Sequence, residues 1–240
     1  MTVWKFERRL LGCWLVAAAC LAPAMAQSSE KSADGDGYVD LLEGSLETHW
    51  RGFRRDDVPS GWQLEDGVLS FRAVEGGRGD VITKETYEDF ELRLEWKVGP
   101  AGNSGIFFRV SEDQPATYST GPEMQVLDND GHVDGKSPLT SAGSNYALHA
   151  PPRDVTRPVG EYNEVVVRVE GPRVRHWLNG ELVVDYRLWT DEWEELVAGS
   201  KFRAMPGYGR NRVGHVALQD HGDPVSFRNV RIRRLSQTGE

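Results

Sequence analysis

The segment Phe90-Glu91-Leu92-Arg93-Leu94-Glu95-Trp96-Lys97-Val98 decides the fold class of this 240-residue chain. Its even-numbered residues are apolar and its odd-numbered residues are charged. Because successive side chains of a β-strand point to opposite faces, this alternation predicts a strand with one buried face and one solvated face. The same pattern recurs along most of the chain, which predicts an all-β protein.

Two further segments are typical of β-hairpins. Residues 62–71 are interrupted by Asp66-Gly67, and residues 174–187 by Asn179-Gly180, pairs that accept the positive φ angles of a two-residue turn. Other predicted strands cover residues 38–43, 81–84, 105–110, 123–128, 163–170, 215–219 and 225–235. About a dozen strands at this spacing predict a β-sandwich.

One short helix is expected among the strands. Asp191 is predicted to cap its amino end, and Glu194 would complete a capping box three residues later. Trp193, Leu196 and Val197 then share one apolar face. We expect this helix to cover an edge or one end of the sandwich.

Residues 1–26 have the composition of a secretory signal peptide. Lys5, Arg8 and Arg9 precede the apolar run 10–21, and Ala24-Met25-Ala26 is typical of a cleavage site. The apolar run is too short to span a bilayer, so no membrane span is predicted. We therefore expect export to the periplasm or the extracellular space, followed by a flexible leader (27–37), one domain (38–235) and a short tail (236–240).

Both cysteines of the chain, Cys13 and Cys20, lie in the predicted signal peptide. Cleavage after Ala26 leaves no thiol, which excludes disulfides, a cysteine nucleophile and thiolate metal sites. Acylation of Cys20 in a weak lipoprotein box is the alternative. Cleavage also takes the formal net charge from −9 to −11. This acidic balance argues against nucleic acid and anionic membranes as partners.

Polar residues alternate with apolar residues on three predicted strands. Arg109 belongs to the first, Glu123 and Gln125 to the second, and Gln219 and His221 to the end of the third. If the three strands are neighbours, these side chains form one polar patch on the face opposite the core. The mixture of carboxylate, amide, imidazole and guanidinium groups suits a hydroxyl-rich ligand.

The spacing Glu123-x-Gln125-x-x-Asp128 is similar to the E-x-D-x-x-E signature of jelly-roll glucanases. A glycosidase of the ordinary kind needs two carboxyl groups at a defined separation. Without a bulge, Asp128 points inward or lies in the following turn, so only Glu123 is well placed. The carboxylate-rich loop 128–135 has the wrong glycine position for a calcium loop and is predicted to be a plain turn.

Four ordered motifs resemble the secreted 3-keto-disaccharide hydrolase family, whose members are also described as 3-keto-glucoside 1,2-lyases and 3-keto-2-hydroxy-glucal hydratases. The motifs are GNSGIFFR at 102–109, GPEMQVLDN at 121–129, WLNG at 177–180, and LQDHG at 218–222 followed by FRNV at 227–230. The likeness extends over about residues 38–235. It implies a concanavalin-like jelly roll and an oxidised, 3-keto sugar as substrate.

The resemblance also implies a reaction. A ketone at C3 acidifies the proton at C2, so a base can remove that proton while the C1 substituent leaves, and water then adds back to the enone. The net result is hydrolysis by elimination and hydration, which requires a base, an acid and a group that stabilises the enolate.

Residue roles follow as hypotheses. Glu123 or His221 is the base, and Asp128 or the other member of that pair is the acid. The residues predicted to bind the C3 oxygen or neighbouring hydroxyls are Arg109, Gln125, Lys136, Tyr146 and Gln219. No cofactor is required, although a divalent cation at Asp128, Glu123 or His132 could replace Arg109.

Two other functions are compatible with these residues. The same fold serves non-catalytic carbohydrate-binding modules, because a jelly roll does not decide function. An ordinary jelly-roll glycosidase is the second alternative, and it predicts a second carboxylate facing Glu123.

Overall fold

The computed structural model describes residues 1–2 and 37–236. Within residues 37–236, thirteen strands form two antiparallel sheets. The predicted signal peptide beyond residue 2, the alternative lipidation site at Cys20, and nearly all of the leader and tail lie outside the described residues. No helix in the described part of the chain is long and apolar enough to cross a membrane.

The elements follow one another closely along the chain. In chain order the strands are β1 Val39–Asp40, β2 Trp50–Gly52, β3 Trp62–Glu65, β4 Val68–Phe71, β5 Val81–Thr83, β6 Phe90–Val98, β7 Asn103–Val110, β8 Glu123–Leu127, β9 Asn163–Glu170, β10 Arg173–Leu178, β11 Glu181–Arg187, β12 His215–Leu218 and β13 Val225–Arg234. Two α-helices, α1 Leu46–His49 and α2 Asp191–Ala198, accompany them.

The larger sheet has the order β11-β10-β9-β6-β13-β4-β3, with β1 also pairing with β13, and the smaller sheet has the order β2-β5-β12-β7-β8. The hydrophobic core lies between the two sheets. This arrangement is the β-sandwich that the alternation predicts, with the jelly-roll form that the family resemblance implies. It brings β12, β7 and β8 side by side, as expected for the three strands with polar residues.

Strand β6 has the predicted alternation, but its outer face is not simply solvated. Leu92, Leu94 and Trp96 are buried against the opposite sheet. On the other face, Glu91 is also buried, and Tyr38 and Arg93 donate hydrogen bonds to its carboxylate. Burial alone would raise the pKa of Glu91, but these hydrogen bonds and nearby arginines lower it to about 2.

Both predicted hairpin turns are present. Asp66 and Gly67 have φ angles of 49° and 74°, and Asn179 and Gly180 have φ angles of 50° and 83°. Positive φ at both central residues is the geometry that matches the twist of the flanking strands.

The residue that caps helix α2 lies one position earlier than predicted. Thr190, not Asp191, is the cap, because its Oγ1 accepts a hydrogen bond from the backbone N–H of Trp193 at 3.2 Å. Glu194 does not close a capping box, since its carboxylate pairs with Arg210 instead. The first turn of the helix is nevertheless acidic, which favours the positive end of the helix dipole.

A β-bulge in β7 changes the direction of Arg109. Ala217 of β12 pairs with Phe107, whereas His215 pairs with Val110, so β7 contains one residue more than its partner. Arg109 has a φ of 53°, and its side chain is 1% exposed. A bulge reorients the side chains that follow it. The prediction that Arg109 lies on the polar face is therefore wrong.

Arg109 instead ties loops together inside the sandwich. Its Nη2 donates hydrogen bonds to the carbonyl oxygens of Gly171 at 2.8 Å and Glu88 at 3.1 Å. The same nitrogen lies 3.5 Å from a carboxylate oxygen of Asp89, and the guanidinium packs over Trp189. These contacts make Arg109 a structural residue.

We expect Arg109→Met to lower the free energy of unfolding by about 3 kcal/mol, because it leaves Asp89 without its buried partner. Urea denaturation measures this change. Arg153→Met is the matched control, since Arg153 forms an exposed pair with Glu181, and it should leave the midpoint nearly unchanged. Equal midpoints for the two variants would contradict the structural role of Arg109.

Candidate active site

The floor of the candidate site is a flat area at the centre of β12, β7 and β8. Gly105 of β7 pairs with Gln125 of β8, and on the other side its carbonyl oxygen accepts a hydrogen bond from the backbone N–H of Gln219 at 3.0 Å. The two glutamine side chains thus flank a residue with no side chain. A cavity of about 340 Å³ opens above this floor.

Five of the predicted site residues line the cavity: Glu123, Gln125, Tyr146, Gln219 and His221. The sandwich therefore brings together most of the polar face that strand alternation indicates. The other residues that line the cavity, none of which was a predicted site residue, are Asn103, Tyr118, Asp134, Lys201 and Met205. Most of these come from loops and short 3-10 turns.

Two other predicted site residues lie elsewhere. Lys136 is exposed at the end of a 3-10 turn and does not line the cavity. Asp128 lies in the turn after β8, where its oxygens accept hydrogen bonds from the backbone N–H groups of Ala101, Asp130 and Gly131 at 2.7, 3.2 and 3.1 Å. The geometry assigns Asp128 to holding this turn rather than to the cavity.

The carboxyl group of Glu123 lies in an unusual environment. The residue is 6% exposed, and no hydrogen bond joins its carboxyl group to another described residue. Burial, with a smaller contribution from the carboxylates of Asp80 and Asp134, raises the pKa of Glu123 to about 8 against the opposing positive charge of Lys201. Glu123 is therefore mostly protonated at neutral pH and can donate a hydrogen bond.

Lys201 provides the cation of the cavity. Although much of its side chain is exposed, its Nζ lies 4.0 Å from the ring centroid of Tyr146. Burial lowers the pKa of Lys201, while Glu123 and Asp134 oppose that shift. The phenol of Tyr146 donates a hydrogen bond to Asp134 at 3.1 Å, and burial and this carboxylate raise its pKa. The cavity thus combines an ammonium, a phenol and a protonated carboxyl group.

Two amide oxygens complete the lining. The Oε1 atoms of Gln125 and Gln219 are buried without a hydrogen-bond partner among the described residues, although Nε2 of Gln125 donates to the carbonyl oxygen of Thr140. Buried polar atoms are normally paired, so unpaired ones that line a cavity are suited to a polar ligand. Both acceptors can bind sugar hydroxyl groups.

Two imidazoles lie beside Asn103, and one of them, His221, lines the cavity. The rings of His132 and His221 are 5.9 Å apart, and Nε2 of each lies 3.5 Å from Nδ2 of Asn103. Nδ1 of His221 is 3.4 Å from a carboxylate oxygen of Asp223, and Nδ1 of His132 accepts a hydrogen bond from the backbone N–H of Asp134 at 3.1 Å.

The residues predicted to hold a divalent cation do not converge. Asp128 accepts hydrogen bonds from backbone N–H groups, Glu123 lies on the floor of the cavity, and His132 does not line the cavity. Three possible ligand atoms, one each from His132, His221 and Asp223, lie within 4.8 Å of one another. These three side chains form the one group of possible metal ligands among the described residues.

Gly105 makes room for Glu123. A Cβ atom at position 105 would lie 2.2 Å from Oε1 of Glu123. We expect Gly105→Ala to displace this carboxyl group and to lower kcat/KM by about 100-fold, since small displacements of reacting groups have effects of that size. Gly99→Ala is the control, because nothing lies within 4 Å of its added Cβ. Steady-state kinetics with matched circular dichroism spectra test this, and normal turnover by Gly105→Ala would contradict it.

The fold and site together define a class of protein: a jelly-roll β-sandwich with a cavity suited to a hydroxyl-rich ligand on the outer face of its smaller sheet. Residues 37–233 match the family described as the 3-keto-alpha-glucoside-1,2-lyase-like domain. The chain belongs to this family, as its four ordered motifs predict.

Individual relatives agree with this membership. The chain is 36% identical over 244 residues to a 3-keto-disaccharide hydrolase of Bacteroides thetaiotaomicron, and the alignment covers 90% of this chain and 84% of that protein. A glycosyl-hydrolase-like protein of Parabacteroides distasonis has a solved structure with a TM-score of 0.77 and 35% identity, covering 84% of this chain and 95% of that one. A second such protein from the same organism, at 24% identity and a TM-score of 0.65, covers 82% of this chain and 99% of that one and supports the fold alone.

Proposed function

We propose that this protein cleaves 3-keto-disaccharides by elimination across C1 and C2 followed by hydration, with net hydrolysis. Family membership and the name of the 3-keto-disaccharide hydrolase relative support the substrate class. The observation that carries the proposed mechanism is the pairing of a carboxyl group of pKa about 8, Glu123, with the ammonium of Lys201 in one cavity. Both donate hydrogen bonds, and a ketone that becomes an enolate needs such donors.

The C3 oxygen of the substrate binds between Lys201 and Glu123 in this proposal. Negative charge develops on that oxygen as the C2 proton leaves, and the ammonium and the neutral carboxyl group stabilise it. A carboxylic acid that stays protonated at neutral pH is a known device for binding an enolate oxygen. Gln125 and Gln219 accept hydrogen bonds from substrate hydroxyl groups with their unpaired Oε1 atoms.

His221 is the proposed base, because it lines the cavity and Glu123 is protonated. The C2 proton moves to His221, and the C2–H electron pair forms the enolate over C2, C3 and the C3 oxygen. The enolate then reforms the C3 ketone, its electron pair forms the C1–C2 double bond, and the C1–O pair leaves with the oxygen. The imidazolium then returns the proton to the departing oxygen. In the second step water adds at C1, its proton passes to His221, and C2 is reprotonated.

The experiment that tests this proposal is turnover of 3-keto-trehalose in deuterated water, followed by NMR. Elimination exchanges the C2 proton with His221 and solvent, so deuterium is expected at C2 of the product. A sample with heat-denatured enzyme corrects for spontaneous exchange next to the ketone. Cleavage with no deuterium above this background would overturn the elimination step and favour direct hydrolysis.

Asp134 supplies a second carboxylate in the cavity, so the same assay includes unoxidised substrates. Release of p-nitrophenol from an unoxidised aryl glucoside at a comparable rate would favour an ordinary glycosidase. Binding of unoxidised glucan without turnover of any keto-sugar would favour a carbohydrate-binding module. The proposed enzyme does neither.

We also propose that the reaction needs no metal ion and takes place after export. The predicted cation ligands do not converge, which supports the first statement, and the composition of residues 1–26 supports the second. Exhaustive chelation should leave turnover unchanged, and the exported protein should begin at Gln27. Loss of activity on chelation, restored by a divalent cation, would overturn the first statement.

A further inference from the structure

We propose that the mouth of the cavity, its exposed end at Tyr118 and His221, holds a second sugar subsite in which the ring of Tyr118 stacks on the sugar that leaves from C1. This inference rests on the proposed function and deepens it, because it assigns a binding residue to the leaving group. Three features support it: the depth of the cavity, the exposure of the Tyr118 ring, and the contacts that hold its turn.

The lining residues differ in depth. Glu123 and Gln125 are 6% and 1% exposed, whereas Tyr118 is 46% exposed and the side chain of His221 is 43% exposed. When the C3 oxygen binds at Glu123 and the C2 proton faces His221, the direction from C3 to C1 runs from the floor towards the mouth. The substituent at C1 therefore lies among the exposed lining residues.

The size of the cavity leads to the same placement. Its volume of about 340 Å³ is near the lower end of the range for small-molecule sites, roughly 300 to 1,000 Å³. Such a space suits one sugar ring on the floor. The second ring of a disaccharide then extends to the mouth.

The ring of Tyr118 is available to a ligand. It is the most exposed aromatic side chain among the described residues. Of the seven tyrosines of the chain, each of the other six packs against an aromatic ring or a cation. Tyr118 makes neither contact, and its hydroxyl group has no hydrogen bond to another described residue. Its apolar face can therefore cover the C–H face of a sugar ring.

The turn that carries this ring is fixed by its neighbours. Tyr118 lies in the 3-10 turn Thr117–Ser119, in which Thr117 and Ser119 are buried. The hydroxyl group of Thr117 donates a hydrogen bond to Asp80 at 2.5 Å, and the backbone N–H of Gly121 donates to the carbonyl oxygen of Thr117 at 3.0 Å. Because the turn is already ordered, stacking on it costs little conformational entropy.

Asp80 also joins this turn to the loop that carries the proposed base. Its other carboxylate oxygen accepts a hydrogen bond from the backbone N–H of Asp220 at 2.8 Å, next to His221. One carboxylate thus holds both the turn of Tyr118 and the loop of His221. A sugar that stacks on Tyr118 is therefore held beside the C1–O bond that breaks.

A second apolar side chain belongs to the same wall of the cavity. Met205 lines the cavity, and its segment is joined to the turn of Tyr118, since the backbone N–H of Gly209 donates to the carbonyl oxygen of Thr120 at 2.8 Å. The floor offers polar groups to hydroxyls, whereas this wall offers an aromatic ring and a thioether to C–H groups. A sugar ring has both kinds of surface.

Kinetics with two leaving groups test this subsite. 3-Keto-trehalose loses a sugar from C1, whereas the 3-keto derivative of methyl α-glucoside loses methanol, which is too small to reach Tyr118. Both leaving groups are alcohols, so the chemical steps are comparable. Tyr118→Ala should raise KM for 3-keto-trehalose by about 10-fold with little change in kcat, as for the loss of one aromatic contact. Both constants for the methyl substrate should stay unchanged.

Two further variants serve as controls. Tyr118→Phe keeps the ring and should retain the normal KM for 3-keto-trehalose, so an equal loss in Tyr118→Phe and Tyr118→Ala would overturn the stacking role. Tyr162 is half-buried and does not line the cavity, and Tyr162→Ala should change neither substrate's kinetics.

The two substrates also separate this inference from the proposed function. Equal rises in KM on both substrates for Tyr118→Ala would overturn the leaving-sugar subsite and leave the proposed function intact. An unchanged KM for 3-keto-trehalose would do the same. Failure of the unmodified protein to turn over either keto substrate would overturn the proposed function itself, and the role of Tyr118 with it.

Discussion

Lys201→Met is expected to lower kcat/KM for a 3-keto-disaccharide by about 100- to 1,000-fold, the range found for removal of a group that stabilises an oxyanion. Among the described residues that line the cavity, Lys201 supplies the only lysine or arginine charge. Methionine preserves most of the side-chain length and removes that charge. The enolate would then be stabilised by Glu123 alone.

The matched control is Lys136→Met. Lys136 is exposed and does not line the cavity, although the sequence predicted that it binds substrate. Its replacement should leave kcat and KM unchanged, while Lys201→Arg, which keeps the positive charge, should retain more activity than Lys201→Met. The assignment of Lys201 would be abandoned if Lys136→Met were the more damaging variant.

The second large effect concerns pH and Glu123. Because the protonated carboxyl group is the hydrogen-bond donor, kcat/KM should fall as pH rises through about 8, the pKa of Glu123. Glu123→Gln keeps a donor, so it should lose only about 10-fold and should lack this fall, whereas Glu123→Ala should lose about 100-fold. A base at this position predicts the opposite profile, with activity rising through the same pH.

The same group makes a prediction for stability. Burial raises the pKa of Glu123 in the folded protein above its value of 4.5 in the unfolded chain, so the folded state binds the proton more tightly. The free energy of unfolding should therefore fall as pH rises from about 4.5 to about 8. Glu123→Gln removes this dependence and should raise the free energy of unfolding at pH 9 by about 2 kcal/mol. This corresponds to a rise in Tm of roughly 4 to 8 °C.

An exposed carboxylate provides the control for these measurements. Glu164 is exposed on the outer face of the larger sheet, and Glu164→Gln should change neither the pH profile of kcat/KM nor Tm. A decrease in Tm for Glu123→Gln at pH 9 would contradict the buried, protonated state of Glu123.

Strand alternation predicted the sandwich and much of the site, because both depend on which side of each strand is buried. The face shared by Glu123, Gln125 and Gln219 follows from a period of two, and the order β12-β7-β8 brings these residues together. Within a regular strand, the side on which one residue lies fixes the side of its neighbours. That rule extends as far as the strand remains regular.

The site predictions that fail lie at places where the backbone is not a regular strand. The bulge in β7 packs against the residue just before its partner strand β12, since a Cβ at Gly214 would lie 2.4 Å from the backbone of Arg109. Nothing within the sequence of β7 itself indicates the bulge. Lys201 and Asp134 lie in short 3-10 turns between the strands, whose direction no hydrophobic period encodes.

The last two strands of the chain occupy central positions in both sheets. β12 lies between β5 and β7, and β13 lies between β6 and β4. Neither sheet can close until the polypeptide beyond residue 215 is available, and every pairing of these strands joins residues that are far apart in sequence. High contact order of this kind slows folding and delays it until synthesis is nearly complete. An enzyme built in this way remains unfolded, and so without activity, while its chain is still emerging from the ribosome.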